Sequence, residues 1–189
     1  MGDAARTIDA ELPKGLSVDE FLAWAKERPG RYELHGGQVV AMAPERVIHA
    51  TVKGTVYRAL GDGIARAKLD CRALPDGVAL RVNDRKCYEP DALVYCGAPP
   101  PPDALFVPDP VIVVEVGSPT TMWIDESEKL IGYFSLPSVQ HDLIVAPTGL
   151  PLVHHQRQDD GTILTRIVAG GVIRLDPPGF DLNVDSIFA

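Results

Sequence analysis

The run Val111-Ile112-Val113-Val114-Glu115-Val116 constrains this chain more than any other segment. Consecutive β-branched residues read as a strand buried on both faces, the kind that sits at the centre of a mixed or parallel sheet. A carboxylate stands inside it. An ionised carboxyl taken out of water without a partner costs several kcal/mol, so Glu115 has to be paired, protonated or bound to a cation. Whatever surrounds this strand must supply one of the three.

The flanking sequence supplies elements that can do so. Ser17-Val18-Asp19-Glu20 is a capping box, and a short helix is expected over 18–28, stopped by Pro29-Gly30. Arg31 to Met42 alternates around Gly36-Gly37 as a hairpin, with Glu33 inside its first strand. From Glu45 to Leu69 the residues Val47, Ile48, Val52, Val56, Leu60 and Ile64 recur at helical spacing and give the longest helix. Strands are expected over 77–82 and 89–96, the second opened by Pro90-Asp91, and a Pro-rich loop, 97–110, leads into the central run. A helix over 124–136 puts Asp125, Lys129 and Tyr133 on one face. Strands follow over 139–145 and, with turns at Asp160-Gly161 and Gly170-Gly171, over 151–175. This order predicts an α/β protein of the α+β kind, a mixed sheet flanked by helices. Residues 1–16 are polar and without periodicity, which predicts a flexible N-terminal arm before one domain over 17–189.

The 189 residues are enough to bury about 70% of the surface of the unfolded chain, so no metal or disulfide staple is required for folding. Cys71, Cys87 and Cys96 have neither zinc-site nor disulfide-framework spacing and read as reduced thiols. No apolar run approaches the roughly 20 residues of a membrane span, so a cytoplasmic protein without a membrane partner is expected. The net charge of −8 argues against a surface that binds nucleic acid everywhere. The charge is segregated, however. Residues 45–86 hold nine Lys and Arg against five Asp and Glu, a net of +4, leaving −12 elsewhere.

If the strands of Asp91 and Glu115 are neighbours, their ends offer two hard oxygen ligands to one Mg²⁺, a cation that takes carboxylates together with water and phosphate. Lys129 on the following helix adds the positive charge that such a site uses on an attacking water or a developing phosphorane. His154-His155 alternate across a strand and make a poor metal pair. Tyr133 reads as a core residue with its hydroxyl satisfied, and Ser118 as a turn cap.

The ordered set Arg31-Tyr32-Glu33-Leu34-His35-Gly36-Gly37, Met42-Ala43-Pro44 with His49, Pro90-Asp91, Glu115-Val116-Gly117-Ser118-Pro119-Thr120, and Asp125 with Lys129 and Tyr133 resembles the Uma-type restriction endonucleases. These form a branch of the PD-(D/E)xK nuclease superfamily, and the likeness runs over about 17–188. It implies a restriction-endonuclease-like core and a Mg²⁺-dependent DNA phosphodiesterase, with Mn²⁺ as a substitute. By the same likeness Asp91 and Glu115 are the metal-binding acids, with the Val116 carbonyl as a further ligand. The superfamily lysine would fall at Gly117, which has no side chain; in the resembled family it has moved to the next helix, where Lys129 matches. Glu33 matches the early acid that completes the metal shell or holds Lys129, and His49, near Arg46 and Lys53, matches a phosphate contact or proton shuttle. The basic stretch 45–86 would face the DNA backbone, and cutting a duplex suggests a homodimer. Two other readings use the same residues: a nuclease fold kept as a non-catalytic binding or assembly module, and a metal-dependent hydrolase of another phosphoester.

Overall fold

The computed structural model of the chain describes residues 12–117, 125–149 and 151–188. Its elements run α1 (Val18–Lys26), β1 (Tyr32–His35), β2 (Gln38–Ala41), α2 (Val47–Ala67), β3 (Cys71–Pro75), β4 (Leu80–Asn83), β5 (Lys86–Tyr88), β6 (Ala92–Cys96) and β7 (Pro110–Val116). They continue with α3 (Asp125–Ser135), β8 (His141–Val145), β9 (Leu152–Arg157), β10 (Ile163–Val168), β11 (Val172–Leu175) and β12 (Phe180–Asn183), followed by a turn of 3₁₀ helix over Asp185–Ile187.

The expected central strand is β7. It lies inside a six-stranded sheet of order β10-β9-β8-β7-β6-β3, parallel to β8 and antiparallel to β6. The parallel pair is possible because α3 makes the crossover between β7 and β8. Side chains of β7 alternate between two cores. Ile112, Val114 and Val116 pack with Val52, Val56, Leu60 and Ile64 of α2, whereas Val113 packs with Tyr133 of α3 and Tyr88 of β5. Glu115 shares the parity of Val113 and so turns toward α3. A second sheet, β2-β1-β5-β4, carries α1 against its own small core of Val18, Phe21, Leu34, Val39 and Cys87. The capping box is formed, with the Glu20 amide donating to Ser17 Oγ at 3.3 Å and the Ser17 amide donating to Glu20 Oε2 at 2.8 Å. Gly36 and Gly37, with φ of +58° and +89°, make the turn between β1 and β2.

Several expectations need correction. Strands β3, β5 and β12 were not expected, because such short segments carry too few residues to show a period. Within the supposed arm, the Val39 amide donates to the Pro13 carbonyl and the Leu16 amide to the Gly37 carbonyl, so the segment from Pro13 is docked on the hairpin. Residues 1–11, and Ser118 with its expected cap, lie outside the described residues. Cys71 and Cys96 are not free thiols. Antiparallel pairing of β3 with β6 sets them opposite each other as a disulfide, a proximity that sequence spacing does not reveal, and Cys87 alone stays a buried thiol. The basic stretch 45–86 is not one face either. Arg81 is bound to Asp19 and Asp84, and Lys86 to Glu128, on the second sheet. No helix among the described residues is long and apolar enough to cross a membrane.

The large core closes through a glycine. A Cβ at Gly63 of α2 would stand 2.5 Å from Cδ2 of Phe180, whereas one at Gly54 of the same helix meets nothing within 4 Å. Gly54→Ala should therefore raise stability by about 1 kcal/mol, the helix-propensity gain. Gly63→Ala should lose about 1–3 kcal/mol despite the same gain, because the β12 ring has to move. Urea unfolding of the two variants checks this, and equal effects of the same sign would refute the packing described.

Candidate active site

The sheet brings Asp91 and Glu115 to one place. Ala92 of β6 pairs with Val114 of β7, so Asp91, one residue before β6, stands opposite Glu115, and the Val116 amide donates to Asp91 Oδ2 at 2.6 Å. From the other sheet β1 contributes Glu33, whose Oε1 accepts from the Glu89 amide at 2.8 Å and whose Oε2 lies 2.9 Å from His35 Nε2. From α3, Lys129 Nζ reaches both sheets, 2.8 Å from Glu33 Oε1 and 3.2 Å from Glu115 Oε1. One helical turn on, the buried Tyr133 donates its hydroxyl to the same Glu115 oxygen. The expected core tyrosine with a satisfied hydroxyl is thus also a direct partner of Glu115.

Charge and burial set the titration of this cluster. The Glu115 side chain is only 13% exposed. Loss of water pushes its carboxyl up to about 7, with Asp91 and Glu33 adding repulsion that Lys129 and Tyr133 only partly offset. Burial also acts to raise Glu33, but the His35 bond, the Lys129 charge and the Glu89 amide overcome it and hold the carboxyl at about 2. Burial alone would lower Lys129; the Glu115 and Glu33 carboxylates keep it above the usual lysine range and charged.

Asp91 and Glu115 are hard oxygen donors on adjacent strands, and the burial-raised Glu115 marks a position where one more positive charge is favourable. That donor chemistry fits Mg²⁺ or Mn²⁺, which accept one or two carboxylates and fill the remaining positions with water. Among the described residues no group of three or more His, Cys, Asp or Glu is arranged to hold a metal ion, so such an ion would rest on this pair and not on a closed cage. Of Val116, the structure ties the amide, not the carbonyl, to Asp91.

The expected phosphate contacts divide. Arg46, the N-cap of α2, is exposed and His49 is half-buried on the first turn of that helix. Lys53 is not a surface cation. It lies 2.6 Å from Asp91 Oδ1, 2.8 Å from Glu45 Oε2 and 3.3 Å from Asp76 Oδ2. The Asp76 carboxylate is shared with Arg31, which also holds Glu89. Sequence reasoning missed this ring of Arg31, Asp76, Glu45 and Glu89, and the one available signal was Glu89-Pro90-Asp91, two acids at a strand start. His154 bonds to His141 at 2.9 Å and His155 to Thr165 at 2.8 Å, on opposite faces as expected.

The Uma2 family, described as "Putative restriction endonuclease", matches residues 18–185. The chain belongs to Uma2. A relative, the uncharacterized protein slr1290 of Synechocystis, is 27% identical over 97% of this chain and 96% of its own. The crystal structure of "a putative nuclease belonging to DUF820" from Anabaena variabilis superposes with a TM-score of 0.70, at 14% identity, over 92% of this chain and 98% of that one, which shows the same fold. The Uma2 chain therefore has the restriction-endonuclease-like fold and a nuclease-like character.

The Glu115 shift has a measurable sign. A carboxyl raised in the folded state favours folding below its unfolded value near 4.5 and loses that advantage as pH rises toward about 7. Glu115→Gln removes this dependence. In metal-free buffer the stability of the variant relative to wild type should climb between about pH 4.5 and 7 and then level off. Denaturant unfolding at several pH values tests it; a difference that stays flat across that window would show that Glu115 titrates normally.

Proposed function

We propose that this Uma2 protein is a Mg²⁺-dependent endonuclease that hydrolyses DNA phosphodiesters by attack of an activated water. The observation that carries the reading is the meeting of Glu33, Glu115 and Lys129, from two sheets and a helix, beside an Asp91 fixed on the neighbouring strand. Asp91 and Glu115 would hold the metal, which supplies Lewis acidity and lowers the pKa of water. The chain itself does the positioning. Glu33 and Glu115 hold the Lys129 ammonium at the site, where it would orient the attacking water and stabilise charge growing on the phosphate. Tyr133 fixes the oxygen of Glu115 that faces Lys129. His35 and the Glu89 amide act on Lys129 only at second hand, by fixing Glu33, the first of its two carboxylates.

Affinity for DNA would come from the backbone. Arg46 and His49 lie at the end of α2 that carries Lys53 to Asp91, and Arg58 is exposed further along that helix. Cations there neutralise phosphates without reading sequence. A protein of net charge −8 should accordingly bind weakly and with strong salt dependence. The reading carries with it a cytoplasmic location and a homodimer, one site for each strand.

Purified protein with Mg²⁺ or Mn²⁺ should nick and linearise supercoiled plasmid. Asp91→Asn and Glu115→Gln should abolish that cleavage, and Lys129→Met should slow it by about 10²–10³-fold, the usual cost of losing one charge-stabilising donor. Cleavage that survives Asp91→Asn or Glu115→Gln sinks the assignment; DNA binding without cleavage under either metal would make the protein a non-catalytic module. Arg46→Ala should weaken binding to all sequences alike and reduce the slope of log affinity against log salt by about 1. Fluorescence anisotropy at several salt concentrations measures it, and an unchanged slope would remove this end of α2 from the DNA face.

A further inference from the structure

Lys53 sits where the catalytic reading gives it no task. Its side chain is 12% exposed, and its ammonium has three N–H donors facing three carboxylates, those of Asp91, Glu45 and Asp76. The shortest of these contacts, 2.6 Å, is to Asp91 Oδ1. Asp91 Oδ2 meanwhile accepts from the Val116 amide at 2.6 Å. Both oxygens of the carboxylate that would hold a metal are therefore already engaged, one by a full positive charge.

A dication bound to Asp91 would face that ammonium across a single carboxylate group. Like charges a few ångströms apart in a half-dry site repel strongly, so the two cannot both keep their shortest contact. Lys53 has somewhere to go. Asp76 is also held by Arg31 at 2.8 Å, but among the described residues Lys53 is the cation bonded to Glu45, on the exposed approach to α2. A small movement of the lysine side chain away from Asp91 keeps the Glu45 contact and needs no change in the helix.

We infer that Lys53 is a resident cation seated on Asp91, and that a divalent metal must displace it toward Glu45 to bind. The inference rests on the nuclease reading, since it takes Asp91 as a metal ligand. It makes Lys53 a positioning residue that sets the threshold for metal binding, not a group that touches the reacting atoms. Without metal it offsets the charge of Asp91, as Lys129 offsets those of Glu33 and Glu115. With metal, one ammonium is released from Asp91 for each ion bound.

Two measurements on the full chain test this without relying on cleavage. The first is Mn²⁺ binding, followed by the electron paramagnetic resonance signal of the free ion, for wild type, Lys53→Met and Asp91→Asn. Lys53→Met should bind Mn²⁺ about tenfold more tightly, a coupling of ordinary size, while Asp91→Asn should lose the site. The second uses wild type alone, so it decides the matter should Lys53→Met fail to fold. Acetylation by acetic anhydride, mapped by mass spectrometry, should be slow at Lys53 without metal and severalfold faster at saturating Mn²⁺, with the exposed Lys68 unchanged as reference. Unchanged or weaker Mn²⁺ affinity in Lys53→Met, or Lys53 reactivity indifferent to Mn²⁺, overturns the inference. If Mn²⁺ binds, depends on Asp91 and ignores Lys53, the nuclease reading stands and only the displacement falls. If neither wild type nor Lys53→Met binds Mn²⁺, both fall.

Discussion

The ammonium of Lys129 is the point on which the arrangement turns. It bonds Glu33 of β1 and Glu115 of β7, and so joins two sheets through a helix that belongs to neither. The cost of taking these three charges out of water is repaid only because they are taken out together. Removing Lys129 would leave two buried carboxylates without their shared cation, which is far worse than never having buried them. The hydrogen bonds from Tyr133, His35 and the Glu89 amide finish the work by using up most of the remaining lone pairs of the two glutamates. An apolar replacement of the cluster would hold the sheets together at least as well, so stability alone does not explain why the charges are there.

Much of the fold was legible because the sequence repeats one message at several scales. The β-branched run of β7, the four-residue spacing of α2 and the glycine pair between β1 and β2 each specify a local geometry strongly, and all three elements formed within a few residues of expectation. Glu115 could be singled out from one strand, since a carboxylate in a Val/Ile run is an anomaly whatever lies nearby. What could not be read was pairing. Cys71 and Cys96 meet because β3 and β6 align in register, and Lys53 meets Asp91 because α2 crosses the start of β6. Neither fact has a local signature. The error over Lys53 is instructive in this respect: its neighbours in sequence, Arg46 and Arg58, are exposed, and only the three carboxylates converging from elsewhere draw it inward.

The division of charge along the chain takes on a different meaning once the pairs are known. Cations of the 45–86 stretch serve three ends. Arg81 and Lys86 fasten the second sheet to α1 and α3, Lys53 neutralises the site, and Arg46, Arg58 and Arg66 remain on the surface of α2. The excess of acid elsewhere is likewise not diffuse, because Glu33, Asp91 and, at the site, the nearly buried Glu115 lie inside the protein, as does Asp142 of β8. A net charge computed over the whole chain averages over these separate purposes and describes none of them.

The contact between Gly63 and Phe180 ties the site to a remote part of the chain. Leu175, Phe180, Leu182, Val184 and Ile187 cover the α2 face that also rests on β6 and β7, and the Thr55 hydroxyl donates to the Ile187 carbonyl at 2.9 Å. Helix α2 is thus gripped between the large sheet and the last segment of the described chain, and its free end carries Lys53 to Asp91. The closing hairpin β11–β12 never approaches the carboxylates by any contact described above, yet it fixes how far a lysine on α2 can reach. Trimming the chain after β10, however dispensable that hairpin looks, would cut away part of the support that aims the site.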